Sequence, residues 1–348
     1  MHPTCVDSLP LADASAEVLQ PGSVGHDGKP CAAADVRGIV ASHRPFNLIM
    51  IATALLFVVI SIGGLWLGRV TVLPRPLALR AVPPLLFLLG YFFYRWRRER
   101  RIQGLLLIVF WSFVFGLLYI APMYIAARCP VGFQDEALAR MDRAMGIHVP
   151  SILRSLEQFP RCQRFLDYCY DTLLFLVTVA IMVPPVCNQM GRAKEYLVAG
   201  IASAVIAVPI FALVPAQGPW VYYHYEAKPE QENVERAILA LKNQDAVVLD
   251  YFQFEGIISF PSFHAVLAIL AAFALWPIRL VRWPASLLAG LIVISTITTG
   301  WHYVVDVLAG ILVAIASCLT ARGYTHLETR LRTQLGPSPA ELSPTHAS

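Results

Sequence analysis

The sequence Gly300-Trp-His302-Tyr-Val-Val-Asp306 opens an apolar run that continues from Val304 to Leu319. The apolar segment, residues 303–321, approaches the roughly 20 residues that a helix needs to cross a bilayer. It predicts a transmembrane helix with a histidine and an aspartate at its mouth. An ionisable residue at such a position is a functional candidate, because an unpartnered charge near a membrane is costly.

A second motif of the same kind lies upstream. Gly256-Ile-Ile-Ser-Phe-Pro-Ser-Phe-His264 opens the apolar run from Ala265 to Trp276. One basic turn, Pro277–Pro284, and one further apolar crossing separate the two motifs. A down-up-down path therefore returns both histidines to the same side of the membrane. Two imidazoles that face each other at a lipid-water boundary suit phosphoryl chemistry on a lipid headgroup.

The composition supports a membrane protein throughout. Hydrophobic residues make up 57% of the 348 residues and charged residues only 14%. Eight apolar segments have about the length of a bilayer crossing. They are residues 46–68, 77–94, 104–126, 168–187, 196–214, 260–278, 284–301 and 303–321. We therefore expect an all-α polytopic bundle of about eight transmembrane helices.

Charge and cysteine usage exclude other classes. The net charge of +4 is small, and the basic residues fall in short loops, which argues against nucleic-acid binding. The seven cysteines form no Cys-x-x-Cys pair and show no Cys/His metal spacing, so neither a metal nor a cofactor is predicted.

Basic residues predict the orientation. The loop Arg95–Arg101 contains five arginines and is typical of a cytoplasmic loop. Alternation then places both termini in the cytoplasm and both histidine motifs outside, although Arg69, Arg75 and Arg80 conflict with this assignment. We expect an integral protein of the plasma membrane, the inner membrane of a bacterium, with its site facing the periplasm or exterior.

Four regions follow from these patterns. Residues 1–45 are polar and predicted to be a disordered cytoplasmic tail. Residues 46–103 form two additional transmembrane helices with a basic loop, residues 104–321 form a six-helix catalytic core, and residues 322–348 form a cytoplasmic tail. Between the third and fourth segments, Asp135–Gly146 has apolar positions 138, 141 and 145 that fit one face of a surface helix.

The spacing of His302 and Asp306 predicts a functional pair. Four residues apart, both side chains lie on one face of a helix, one turn from each other. The carboxylate can accept a hydrogen bond from one ring nitrogen and leave the other nitrogen as a nucleophile. The alternative is a His-Asp pair that only caps a membrane helix.

The first motif predicts a helix start suited to an anion. Ser259 is a candidate cap and Pro261 a first-turn residue, so free N–H groups would point outward. Gly256 allows a close backbone approach, and His264 could donate a proton to a leaving oxygen. The alternative is an ordinary proline-initiated helix with an interfacial histidine.

Together, Phe260-Pro-Ser-Phe-His264 and Gly300-Trp-His302-Tyr-Val-Val-Asp306 resemble the motifs of the type 2 phosphatidic acid phosphatase superfamily. The resemblance implies a six-helix membrane core over about residues 104–321. It also implies that His302 attacks phosphorus, that Asp306 orients it, that His264 protonates the leaving group, and that Ser262 and Gly256 help to bind phosphate.

The motifs also depart from the phosphatase pattern. Phe263 stands where that pattern has glycine, Thr296 where it has arginine, and no Lys-x6-Arg-Pro motif precedes the first histidine on the same face. Pro215-Ala-Gln-Gly-Pro-Trp220 occupies that place. Candidates to replace the missing positive charge are Arg128, Arg143, Lys228, Arg236 and Lys242.

These departures are similar to the inositol phosphorylceramide synthase branch and to sphingomyelin synthases, which keep the catalytic triad without the cationic clamp. The turn before the first motif and Asp142-Arg-Ala-Met-Gly146 also resemble that branch. The resemblance implies a phospholipid donor and a lipid acceptor. Further candidate substrate-binding residues are Pro215, Gln217, Gly218 and Tyr222.

The sequence thus predicts a lipid phosphotransferase that moves a phospho-headgroup, in one version phosphoinositol, through a phosphohistidine. One alternative is a phosphatase that hydrolyses phosphatidic acid or a polyprenyl pyrophosphate at the same site. Another is a non-catalytic lipid-binding or scrambling protein. The headgroup, the acceptor and the oligomeric state do not follow from the sequence.

Overall fold

The computed structural model describes residues 44–252 and 256–335. The helices of these residues are α1 (Arg44–Leu67), α2 (Pro74–Trp96), α3 (Arg100–Ala127), α4 (Asp135–Ala144), α5 (Val149–Glu157), α6 (Pro160–Asp171), α7 (Leu173–Val186), α8 (Met190–Leu213), α9 (Pro219–Tyr223), α10 (Pro229–Asn243), α11 (Phe263–Leu275), α12 (Arg282–Thr298) and α13 (Val304–Leu335). The strands are β1 (Val70–Val72) and β2 (Val247–Leu249). The predicted all-α bundle is confirmed.

Each predicted apolar segment is helical. Helices α1, α2, α3, α8 and α13 are long and apolar enough to cross a membrane. Helices α6 and α7 form a sixth candidate that bends by 42°. Helices α11 and α12 are apolar but have only 13 and 17 residues. The bend lies near Asp171, where the fourth segment was predicted to begin with polar residues.

Helix α11 is short because the segment before it is not helical. Ile257, Ser259 and Ser262 precede the helix and are nevertheless buried, with exposed fractions of 1%, 7% and 0%. Irregular backbone is tolerated at membrane depth only where protein covers it. The first histidine motif therefore enters the bundle as a buried loop.

Small side chains allow the helices around α11 to pack closely. Ala180 of α7, Ala199 of α8, Ala271 of α11 and Ala314 of α13 are fully buried in one cluster. Such residues let helix backbones approach each other in membranes. The close packing places the N-terminus of α11 beside the N-terminus of α13, and these are the two positions that carry the histidine motifs.

A short parallel sheet joins the first two helices to the first histidine motif. Val70 of β1 pairs with Val247 of β2, and Leu73 N donates to Leu249 O at 3.1 Å. The loop between α1 and α2 therefore lies on the same side as the histidine motifs. The position of Arg69 in that loop remains the exception to the basic-loop pattern.

The predicted tails fall largely outside the described residues. Residues 1–43 and 336–348 are not described, whereas residues 322–335, predicted as the start of the C-terminal tail, continue α13 as a helix.

Candidate active site

The two motif histidines face each other. The ring centroids of His264 and His302 are 6.3 Å apart, with an interplanar angle of 55°. His302 is 4% exposed, whereas His264 is half-buried. A gap of this size between the rings can hold a reacting group that both imidazoles contact.

Asp306 lies beside His302, but the two residues do not share one face of a helix as the sequence predicted. Helix α13 begins at Val304, so His302 precedes the helix in a turn. Oδ2 of Asp306 accepts a hydrogen bond from Tyr303 N at 2.9 Å and lies 3.4 Å from Nδ1 of His302. The turn, rather than a helix face, brings the carboxylate to the ring.

Gly300 makes that turn possible. Its φ of +77° is a left-handed conformation that ends α12, and its N–H donates to Ile297 O at 3.0 Å. A second backbone hydrogen bond in this turn runs from His302 N to Thr296 O at 3.2 Å. Thr296 is fully buried, so the position where the phosphatase pattern has arginine here supports the backbone of His302.

The cap of α11 is Ser262, not Ser259. The hydroxyl oxygen of Ser262 accepts a hydrogen bond at 3.4 Å from the N–H of Ala265, the residue after His264. Pro261 is buried just before this cap, and Ser259 is buried further upstream. The prediction of Ser259 as the cap was wrong because the loop continues three residues longer before helical hydrogen bonding begins.

The first motif is attached directly to the second. Ser262 N donates to the backbone carbonyl of Asp306 at 3.0 Å. A Cβ added to Gly310 would lie 2.6 Å from the carbonyl oxygen of Ser262. Gly310 therefore lets the loop lie against α13, and the distance between the histidines depends on this contact.

Aromatic rings surround His264. Tyr170 of α6 stacks on His264 with centroids 4.4 Å apart, and Trp301 stacks on Tyr170 at 5.9 Å. Trp220 meets Trp301 edge to face at 5.4 Å. This stack holds the imidazole and limits the access of water to it.

The loop from Pro215 to Trp220 is tied to α4. Asp135 accepts hydrogen bonds from Gln217 N at 3.0 Å and Gly218 N at 2.9 Å. Gly218 has a φ of +131°, and a Cβ there would lie 2.1 Å from the Trp220 ring. The loop therefore brings Trp220 to the site, whereas the backbone of Gln217 and Gly218 faces Asp135.

The remaining predicted binding residues lie farther from the histidine pair. Pro215 is buried, and its carbonyl accepts from Gln134 N at 2.8 Å. Tyr222 is in contact with Tyr223 and lies close to Arg143. Gly256 borders the cavity at His264, and a Cβ there would meet no atom of the described residues within 4 Å.

Helix α4 buries an acidic face. The predicted surface helix is present, but Met141 and Met145 are 51% and 44% exposed, whereas Asp135, Leu138 and Asp142 are buried. The buried residues recur at the helical spacing of three to four. The apolar residues predicted to share one face therefore lie on different faces: Leu138 packs inward against the site, whereas Met141 and Met145 face outward.

Asp142 holds the N-terminus of α13. Its Oδ2 accepts from Val304 N and its Oδ1 from Val305 N, each at 2.9 Å. The first N–H groups of a helix have no partner within the helix and need such an acceptor. Together with Asp306, which accepts from Tyr303 N, Asp142 fixes the backbone of the turn that follows His302.

Asp135 completes the connection between α4 and the second motif. Its Oδ1 accepts from the Tyr303 hydroxyl at 3.2 Å. Burial raises the pKa of Asp135 and of Asp142, and the backbone N–H donors oppose this rise. Burial also raises the pKa of Tyr303, which remains a neutral donor.

The environment keeps His302 neutral. Burial, and after it the neighbouring His264, lowers its pKa to about 3, while the backbone of Ser259 acts in the opposite direction. A neutral imidazole at physiological pH is the form that can act as a nucleophile.

An apolar cavity of about 610 Å³ begins at His264. Tyr119, Tyr170 and Phe263 line it near the histidine, and Phe57, Phe115 and Leu197 line it deeper in the bundle. Among the described lining residues, Asp171 alone carries a formal charge. The cavity runs from His264 into the apolar interior of the bundle.

The PAP2 superfamily model matches residues 136–320, more than half of the chain. The chain belongs to the PAP2 superfamily. The match includes both histidine motifs and Asp142, and it confirms the resemblance to the type 2 phosphatidic acid phosphatase superfamily. Neither a curated protein nor a solved structure matches the chain. As a PAP2 protein it is an enzyme of the phosphatase and phosphotransferase class that acts on lipid phosphates.

The cations proposed to replace the PAP2 phosphatase clamp have other partners. Arg128 donates to the carbonyls of Leu241, Gln244 and Asp245, which end α10 and begin the next loop. Each of the other four candidates also has a neighbour of its own. Arg143 lies close to Tyr222 and Tyr223, Lys228 pairs with Asp167, Arg236 donates to Asn233, and Lys242 donates to the carbonyls of Cys129 and Val131. Among the described residues, no lysine or arginine shifts the pKa of His302.

Four residues of this PAP2 site were missed by sequence reasoning. They are Tyr170, Trp220, Trp301 and Gly310. Tyr170 lies one residue before the aspartate that marks the polar start of the fourth segment. Gly310 follows His302 by eight residues and stands directly after Ala309, and such small residues in an apolar helix are the signal of a close helix contact.

Proposed function

We propose that this protein is a phosphotransferase that moves a phospho-headgroup from a phospholipid to a lipid hydroxyl through a phosphohistidine. The observation that carries the proposal is a PAP2 histidine pair with no cationic clamp among the described residues. Phosphate monoesters bear up to two charges and require arginine and lysine donors. A phosphodiester bears one charge and requires fewer, so the site favours a diester donor.

The reaction has two displacements at phosphorus. A ring nitrogen of His302 attacks phosphorus, the bond from phosphorus to the diacylglycerol oxygen breaks, and protonated His264 donates its proton to that oxygen. The acceptor hydroxyl then attacks phosphorus, His264 takes the proton, and the nitrogen-phosphorus bond breaks. The anionic diester favours the protonated form of His264 during the first step, and Asp306 orients the ring of His302.

The dryness of the site supports transfer over hydrolysis. His302 is 4% exposed, and an apolar cavity extends from His264. Excluding water protects a covalent intermediate from hydrolysis, and an apolar cavity admits lipids. These features, with the departures from the phosphatase motifs, agree with the inositolphosphotransferase-like branch of the superfamily.

Product analysis by mass spectrometry tests this function. Purified protein is incubated with phosphatidylinositol and other phospholipids, with and without ceramide or diacylglycerol, beside a His302→Ala control. We expect a new phospho-headgroup lipid that requires both the acceptor and His302. Release of phosphate or of a free phospho-headgroup without acceptor would establish the hydrolase alternative instead.

We also propose that the site faces the exterior and that both termini are cytoplasmic. The native thiols Cys162 and Cys187 are exposed, and they lie at opposite ends of the crossing that α6 and α7 form. In variants that keep one of the two, a membrane-impermeant maleimide is expected to label Cys162 in intact cells. Cys187 is expected to react only after permeabilisation, and the reverse pattern would invert the topology.

A further inference from the structure

The apolar cavity reaches far below the candidate catalytic residues. His264 is the second residue of α11 and lies at the outer end of the cavity. Gly116 lines the cavity 11 residues before the end of α3, and Gly200 lines it 13 residues before the end of α8. At 1.5 Å per residue these positions are about 17 and 20 Å below the histidine side of the bundle. The cavity thus extends to the middle of the hydrocarbon region.

These two glycines do not serve helix packing. A Cβ added at Gly116 or Gly200 would meet no atom within 4 Å. At Gly64 and Gly104, in contrast, it would lie 2.6 and 2.4 Å from a neighbouring side chain. The space beside Gly116 and Gly200 is the cavity itself, so each missing side chain keeps the deep part open.

We infer that Gly116 and Gly200 determine the length of the lipid chain that the enzyme accepts, an inference that rests on the proposed function. A phospholipid whose phosphate lies between His264 and His302 has its hydrocarbon chain beside the upper opening of the cavity. The lining contains one formal charge, Asp171, and the depth suits an extended chain rather than a second headgroup. A side chain at either glycine would fill the lower end and leave the upper part free.

The test replaces each glycine with leucine and compares chain lengths. The probes are dioctanoyl- and dipalmitoyl-phosphatidylinositol, assayed as donors with the unmodified enzyme as reference. We expect Gly200→Leu and Gly116→Leu to lower kcat/KM for the dipalmitoyl donor by at least about tenfold. Turnover of the dioctanoyl donor is expected to stay within about twofold.

The matched control is Gly290→Leu. Gly290 lies on α12, is exposed, and also has no atom within 4 Å of an added Cβ, but it does not line the cavity. We expect Gly290→Leu to leave kcat/KM for both donors unchanged. Equal losses for both donors in the cavity variants, or no loss for either, would overturn the inference.

A second readout separates this inference from the proposed function. Lipids that co-purify with each variant are extracted and their chain lengths measured by mass spectrometry. Gly200→Leu should retain shorter chains than the unmodified protein and Gly290→Leu. If no donor is turned over but the chain lengths shift in this way, the proposed transfer fails and the chain-length role stands; unchanged chain lengths count against the role itself.

Discussion

Replacement of His302 by asparagine is expected to reduce turnover by more than about 1,000-fold. The variant keeps a polar side chain of similar reach but has no ring nitrogen that can form a bond to phosphorus. His302 is buried beside Asp306 and its neutral form is favoured, so it suits the role of nucleophile, whereas the facing His264 is proposed to act as acid and base. The measurement is single-turnover transfer from the donor identified by product analysis.

The matched control is His326→Asn. His326 is exposed on α13, far along the helix from the turn that carries His302. It should leave the rate unchanged. A loss of less than about tenfold in His302→Asn would exclude His302 as the covalent nucleophile.

The second large effect is expected at Asp142. In Asp142→Ala, Val304 N and Val305 N lose their acceptors in a buried environment, and each unpaired N–H costs about 1–3 kcal/mol. The turn that carries His302 can then relax away from its position. We expect kcat to fall by about 100-fold or more with KM nearly unchanged, because Asp142 holds the nucleophile and does not contact the lipid.

Two further variants separate positioning from stability. Asp142→Asn retains one acceptor oxygen and should recover part of the lost kcat. Glu136→Ala removes an exposed carboxylate from the same helix and should have no effect. The role of Asp142 would be refuted if Asp142→Ala lowered the thermal midpoint while the kcat of the folded fraction stayed normal.

Transmembrane segments and motif positions followed from local sequence patterns. All eight apolar segments contain helices, and among the described residues five of these helices are long and apolar enough to cross a membrane, or six spans if the bent pair α6 and α7 counts as one. A bilayer satisfies no backbone group, so each span must form its own hydrogen bonds. Asp135–Ala144 also formed the predicted surface helix. Its orientation was predicted incorrectly because the aspartates at positions 135 and 142 have backbone donors to bind, and these donors come from residues far away in the chain.

The start of α11 was also only partly predictable from the sequence. A serine and a proline before His264 predicted a capped helix, and a capped helix is present. Which serine caps it depends on Ser262 N, which donates to the carbonyl of Asp306, and on Gly310, which leaves room for that contact. A contact between residues 40 or more positions apart leaves no periodic signal in the sequence.

The sequence by itself determined that this protein is a helical membrane bundle and that its two histidines lie on one side, because hydrophobic length and alternation are properties of local segments. Only the tertiary structure decided how the histidines face each other, which carboxylates hold the turn of His302, and where the cavity runs. These features arise from hydrogen bonds, ring stacking and close packing between distant segments, and their geometry exists only once the helices are assembled.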